Sequence, residues 1–264
     1  MQTAQIGDLT VSKFILGSNP FSTFSHQGHD RDLAMRNYFT TARIKACLRE
    51  AEALGVNALI ARGDHHVMRL LHEYRAEGGT LQWLAQTCPE LGSIERGVQN
   101  AIDHGAVGCH IHGGVMDNLI CHQRLDEAVR GIAQIKDAGL KAGIAGHTPD
   151  VFLWAEAHVD VDYYMCSYYN PIPRTESGEH VRGFNEQFLD TDRTAMTTMI
   201  AALSKPVIHY KILAAGRNTP REAFTYAAQH MRAHDAVCVG IFPEDNPHML
   251  AEDIALLEEA LRGM

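Results

Sequence analysis

The stretch SIERGVQNAIDHGAVGCHIHGG, residues 93–114, reads as an amphipathic helix over Ser93 to His104, a stop at Gly105 and a short apolar strand from Ala106 to Ile111. Glycine suits such a stop because it takes the left-handed backbone beyond a helix end without a Cβ penalty. The same unit recurs on either side. Upstream, Thr41 is read as the cap of a helix with Ile44, Cys47, Leu48, Ala51 and Leu54 on one face, followed by Gly55 and the strand Val56 to Ala61. Downstream, Leu125, Val129, Ile132 and Ile135 precede Gly139 and the strand Leu140 to Ala145. Later helix starts carry proline: Thr148-Pro149-Asp150, Thr219-Pro220-Arg221-Glu222 and Asn246-Pro247. Strands therefore fall near 13–18, 56–61, 81–87, 107–112, 140–146, 162–168, 206–213 and 236–242. Apolar strands separated by helices are parallel strands buried on both faces. Eight of them at this length predict a closed α/β barrel, a (β/α)8 TIM barrel formed by residues 1–264 as one domain. Residues 2–12 read as a short N-terminal β-hairpin turning at Gly7-Asp8. The polar loops 19–40 and 173–187 follow strand ends and read either as lid candidates or as long surface connections.

The chain has 264 residues, 45% of them apolar and 21% charged, which is a globular balance. A net charge of −9 and no long basic run speak against a nucleic-acid surface. No stretch approaches the roughly 20 apolar residues of a membrane span. A cytoplasmic enzyme acting on a small molecule is the expectation, with a homo-oligomer left open. Cys47, Cys88, Cys109, Cys121, Cys166 and Cys238 form no CxxC pair and read as reduced core thiols. The 16 histidines are the unusual feature, because imidazole is both a common metal ligand and an acid or base.

Several ordered segments resemble the aldo-keto reductase superfamily: Leu9-Thr10-Val11-Ser12 with Phe14-Ile15-Leu16-Gly17-Ser18, Gly55-Val56-Asn57, Gly143 to Pro149, Lys205-Pro206-Val207-Ile208 and Lys211 to Arg217. The resemblance runs over nearly the whole chain. It implies the reductase barrel, with catalysis by an Asp, a Tyr, a Lys and a His around a carbonyl. In this sequence Ile60 stands where the Asp belongs, His65 where the Tyr belongs and Thr87 or Gln86 where the Lys belongs. Only His112 matches. Phe242-Pro243-Glu244-Asp245 sets acids where the family holds an adenosine phosphate. Both departures point away from nicotinamide chemistry.

The residues themselves suggest a metal. His110 and His112 share one strand face, a common half-site for a transition metal. His65, in Asp64-His65-His66, and His147, at the end of strand five, are the further ligand candidates. The alternatives are a solvated helix start for Asp64-His65-His66 and a buried, hydrogen-bonded His110. Tyr168, Asn170 and Tyr210 are substrate-contact candidates, and Tyr210 resembles the family residue that stacks on nicotinamide. Lys211 could be a Schiff-base nucleophile if desolvated, or a surface or phosphate-binding lysine. Asp64, Glu244 or Lys211 would move the proton.

The leading expectation is a metal-dependent lyase, isomerase or hydrolase. Its Zn, Mn or Fe would polarise a small polar carbonyl, sugar-like or hydroxy-acid substrate. The alternatives are a divergent NADPH-dependent reductase using His65 and His112, a class I aldolase built on Lys211, and a non-catalytic binding barrel.

Overall fold

A computed structural model of the chain describes residues 1–179 and 186–263. The N-terminal hairpin is antiparallel: β1 (Thr3–Ile6) pairs with β2 (Leu9–Ser12) around Gly7, whose φ is +60°. Eight parallel strands follow: β3 (Phe14–Gly17), β4 (Ala58–Arg62), β5 (Gln82–Gln86), β6 (Gly108–Ile111), β7 (Lys141–Gly146), β8 (Tyr163–Ser167), β9 (Val207–Tyr210) and β10 (Ala236–Gly240). They close into a barrel in sequence order, with β10 pairing to β3.

Both faces of these strands are buried, and alternation sorts the side chains. Ile15, Ile60, Leu84, Tyr163, Met165 and Ile208 fill the barrel, while Phe14, Leu16, Leu59, Trp83 and Ala85 pack on the helices. Hairpin residues Ala4, Ile6 and Val11 join the inner cluster and close the N-terminal end. Asn57 and Gln82 fasten the hairpin there by donating to the Thr10 carbonyl at 3.0 and 2.9 Å. Gly143 is small by necessity: a Cβ there would stand 2.4 Å from the Tyr163 ring.

The described helices are α1 (His29–Tyr38), α2 (Thr41–Ala53), α3 (His65–Ala76), α4 (Ile94–Asp103), α5 (Gly113–His122), α6 (Asp126–Asp137), α7 (Pro149–His158), α8 (Asp190–Ala202), α9 (Pro220–His230) and α10 (Met249–Arg262). Thr219 caps α9 as expected, accepting from Glu222 N at 3.4 Å. Three starts differ. Thr40, not Thr41, caps α2 by accepting from Arg43 N. Thr148 stands at the start of α7 without a side-chain cap. Asn246 accepts from His248 N at 2.9 Å, which delays α10 to Met249.

Two helices were not legible. The 19–40 loop contains α1, which buries only Met35 and so offers no apolar stripe to read. α5 begins with Gly113-Gly114, a pair that disfavours helix in isolation. Five cysteines are buried, but Cys121 on α5 is exposed, so it is not a core thiol. No described helix is long and apolar enough to cross a membrane.

Candidate active site

A cavity of about 390 Å³ opens at the C-terminal ends of the strands. This end of a (β/α)8 barrel carries the loops that vary while the strands stay rigid. His147 just after β7, Tyr210 at the end of β9, Gly113 at the start of α5, and residues of the 19–40 and 173–187 segments, among them His26 and Arg174, line it.

Three side chains form a hydrogen-bonded chain along one wall. Asp117, from the second turn of α5, accepts from His147 twice: from the backbone N at 3.0 Å and from Nδ1 at 2.6 Å. That fixes the tautomer, leaving Nε2 as the lone-pair nitrogen. Nε2 meets the Tyr210 hydroxyl at 3.3 Å, and the same hydroxyl is 3.3 Å from the Gly146 carbonyl. Burial lowers the His147 pKa, and Asp117 works in the opposite sense. Burial holds the Tyr210 phenol well above its usual range. The chain therefore rests as a neutral imidazole beside a protonated phenol. Gly113 makes room for it, since a Cβ there would lie 2.8 Å from the Tyr210 hydroxyl and 3.0 Å from His147 Cε1.

Lys211 follows β9 with φ +57°, an uncommon conformation for a residue with a Cβ. Neighbours on a strand face opposite ways, yet Tyr210 and Lys211 both line the cavity. The left-handed backbone at Lys211 breaks the alternation. Its ammonium donates to His26 Nε2 at 3.0 Å, and His26 Nδ1 lies 2.8 Å from Glu186 Oε2. His26 comes from the segment after β3 and Glu186 from the segment between β8 and α8, so the two segments meet at this lysine. Burial pushes the Lys211 pKa down to about 8; the Arg174 charge acts in the same direction, and Glu186 and Asp117 against it.

His112 caps α5, its Nδ1 accepting from Gly114 N at 3.1 Å. Its proton then sits on Nε2, a donor for a ligand oxygen. Burial and the nearby His147 hold its pKa well below the ordinary histidine value. Arg62 is engaged by Asp64 at 3.2 Å and Glu90 at 2.6 Å. Arg174 is 7% exposed, and its Nη1 donates to the Glu179 carbonyl at 2.5 Å.

The expected site residues are thus dispersed. His112, His147, Tyr210 and Lys211 line the cavity. His65 is exposed on the first turn of α3, and Asp64 caps that helix by accepting from Val67 N at 2.9 Å. His110 lies inside the barrel with Nδ1 3.1 Å from the Tyr163 hydroxyl, and burial lowers its pKa to about 3. Tyr168 is turned from the mouth, its hydroxyl 2.9 Å from His209 Nδ1. Asn170 does not line the cavity, and Glu244 is exposed. Asp245 pairs with Arg31 of α1.

Among the described residues, no group of three or more His, Cys, Asp and Glu side chains is arranged to hold a metal ion. The donor set explains why. His112 and His147 each commit Nδ1 to a protein partner, and His112 presents N–H where a metal needs a lone pair.

Asp117, His26, Glu186 and Arg174 were not singled out from the sequence. Asp117 sits on an unforeseen helix, and His26 reads as a solvent-facing loop residue. His180 lies outside the described residues.

The arrangement defines a (β/α)8 barrel with its own set of mouth residues. No family model and no curated protein matches the sequence. Solved structures match the fold. A Pseudomonas aeruginosa protein provisionally assigned as an aldo-keto reductase is 20% identical with TM-score 0.66, covering 99% of this chain and 95% of that one. A Bacillus halodurans aldo-keto reductase in its holo form is 12% identical with TM-score 0.60, covering 98% and 96%. A truncated 3-deoxy-D-arabino-heptulosonate 7-phosphate synthase from Thermotoga maritima is 13% identical with TM-score 0.55, covering 100% and 90%. At such identities the likeness is one of fold, and function has to be argued from the site.

Proposed function

We propose that this barrel is a lyase that processes a small carbonyl compound through a Schiff base on Lys211. The observation that carries the reading is the setting of Lys211. A lysine with its pKa lowered to about 8 is held by a left-handed backbone at the barrel mouth, against His26 and beside the Asp117–His147–Tyr210 chain. Desolvation leaves a useful fraction of the amine neutral and nucleophilic near neutral pH.

In this reading the Lys211 ammonium gives a proton to His26, and the free amine attacks the carbonyl carbon. The carbonyl oxygen takes one proton from the attacking nitrogen and one back from His26 and leaves as water, forming a protonated imine. The imine draws in the electron pair of the bond between the α and β carbons as that bond breaks, which leaves an enamine. His147, through the Tyr210 hydroxyl, takes the proton from the hydroxyl on the departing carbon, which leaves as an aldehyde. The same relay returns that proton to the enamine carbon. Water then hydrolyses the imine and frees Lys211. Asp117 orients His147 and stabilises its transient charge, as an acid does for a catalytic histidine. In the same reading His112 donates from Nε2 to a substrate oxygen, its Nδ1 being occupied by Gly114 N.

The test is borohydride reduction of the protein with small aldehydes, oxo acids and keto sugars, followed by peptide mass mapping. A reduced adduct on Lys211, lost in Lys211→Gln, is expected. No adduct with any compound would overturn the reading.

A second reading, NADPH-dependent carbonyl reduction, is favoured by one observation. Asp117, Tyr210, Lys211 and His112 bring together the residue types of the reductase site from different positions. Saturable NADPH binding by fluorescence titration, with no lysine adduct, would select it.

A further inference from the structure

Arg174 is a buried cation whose hydrogen-bonding capacity is only partly used. Its side chain comes from the 173–187 segment and lines the cavity. It is 7% exposed, and Nε has no hydrogen-bond partner among the described residues. Nη1 is spent on the Glu179 carbonyl, which leaves the opposite edge, Nε with Nη2, as the side that grips oxyanions in pairs. A buried polar group without a partner costs stability unless a ligand or water completes it.

The start of α5 adds to this. Arg174 Nε lies 3.2 Å from where a Cβ on Gly114 would be, so the guanidinium rests against the first turn of a ten-residue helix. The N-terminal end of a helix carries partial positive charge, and here one of its N–H groups, Gly114 N, is already taken by His112 Nδ1. Gly113, itself without a side chain, brings that end to the cavity wall beside His147 and Tyr210. Asp117 and Glu186 are the carboxylates nearest in charge, but Asp117 is held by His147 and Glu186 by His26.

We infer that Arg174 and the N-terminal turn of α5 form an oxyanion subsite that receives the carboxylate or phosphate of the substrate while its carbonyl lies at Lys211. This deepens the Schiff-base reading and rests on it for the carbonyl half. The substrate class becomes an anionic carbonyl compound: a 2-oxo acid if the anion is a carboxylate, a phosphorylated keto sugar if it is a phosphate.

The experiment uses three probes: pyruvate, dihydroxyacetone phosphate and uncharged dihydroxyacetone. Calorimetric binding is measured for wild type, Lys211→Gln, Arg174→Gln and Arg174→Lys, and borohydride trapping for all but Lys211→Gln. Binding of a charged probe is expected in wild type and in Lys211→Gln. It should weaken roughly tenfold to a hundredfold in Arg174→Gln, the loss expected for a charge-assisted pair. Arg174→Lys should recover part of it, with thermal melts confirming that both variants fold. Preference for pyruvate assigns a carboxylate substrate, and preference for dihydroxyacetone phosphate a phosphorylated one. Equal binding in Arg174→Gln and wild type, binding of dihydroxyacetone as tight as the charged probes, or no binding of either charged probe would overturn the subsite. Arg174-dependent binding in Lys211→Gln with no trapping in wild type would overturn the Schiff base and leave the subsite standing.

Discussion

Lys211 Nζ and His26 Nε2 lie 3.0 Å apart across 185 residues of sequence, and both residues hold a backbone φ of +57°. Two non-glycine residues in the left-handed region are locally unfavourable, and such strain collects where function needs it. The contact puts the amine beside a base and lets Glu186 fix which imidazole nitrogen receives its proton.

The first prediction concerns Lys211 and pH. Its folded pKa of about 8 lies below the unfolded lysine value of about 10.4, so the unfolded chain binds more protons between them. The buried lysine therefore costs stability below about pH 8, and the cost fades as pH rises toward the unfolded value. Lys211→Met should raise stability at pH 7 by about 1–3 kcal/mol, an advantage that disappears near pH 10.5. Urea denaturation of both proteins across that range checks it. In parallel, the rate of imine trapping in wild type should rise through pH 8.

Asp117 tests the relay. Asp117→Asn keeps the size of the side chain but removes the acceptor pair that sets the His147 tautomer. Turnover should fall by about 10²–10⁴-fold, with the fold intact by circular dichroism. A loss under threefold would mean that the Asp117–His147 bond at 2.6 Å is structural only.

Gly113→Ala adds one methyl group where 2.8 Å separates the new Cβ from the Tyr210 hydroxyl. The methyl has to displace Tyr210 or His147. Activity should drop at least tenfold while Tm shifts only a few degrees, because the change sits at the cavity wall and not in the barrel core. Activity and melting curves on the same preparation decide it.

Away from the mouth, Asp235 ties β9 to β10. It is fully buried and accepts from Val207 N at 2.8 Å, from Arg232 at three nitrogens and from His209 Nε2 at 3.3 Å. Burial pushes its carboxyl pKa up, but His209 and Arg232 outweigh that and hold it well below the usual carboxylate range. Its contribution is present above the unfolded pKa of about 3.9 and is lost as pH falls toward the folded value. Asp235→Ala should cost about 3–5 kcal/mol at pH 7, because Arg232 and buried His209 lose their partner. Part of the wild type's acid sensitivity should vanish with it in a pH-resolved unfolding series.

The barrel was legible because its pattern is local. Helix, glycine and strand follow one another within about 20 residues, and burial on both faces writes the strands as apolar runs. The run from Ser93 to Ile111 becomes α4 and β6 almost as read, with Ser93 capping the helix. Gly113 to His122 failed for a local reason too, since two glycines at a helix start read as a turn.

The site divided the same way. Residues at strand ends, His112, His147, Tyr210 and Lys211, could be placed at the mouth because strand position fixes the end of the barrel they occupy. Their partners could not. His26 reaches Lys211, Asp117 reaches His147, and Glu186 reaches His26 through loops and an added helix whose docking carries no periodic signal. Histidine chemistry depends on which nitrogen is already occupied, and that is decided by neighbours distant in sequence. The sequence alone thus determined the barrel and the identity of the strand-end residues. Tertiary structure decided which became a hydrogen-bonded relay, which a desolvated amine and which remained a helix cap, because burial and pairing are properties of the packed mouth and not of any segment within it.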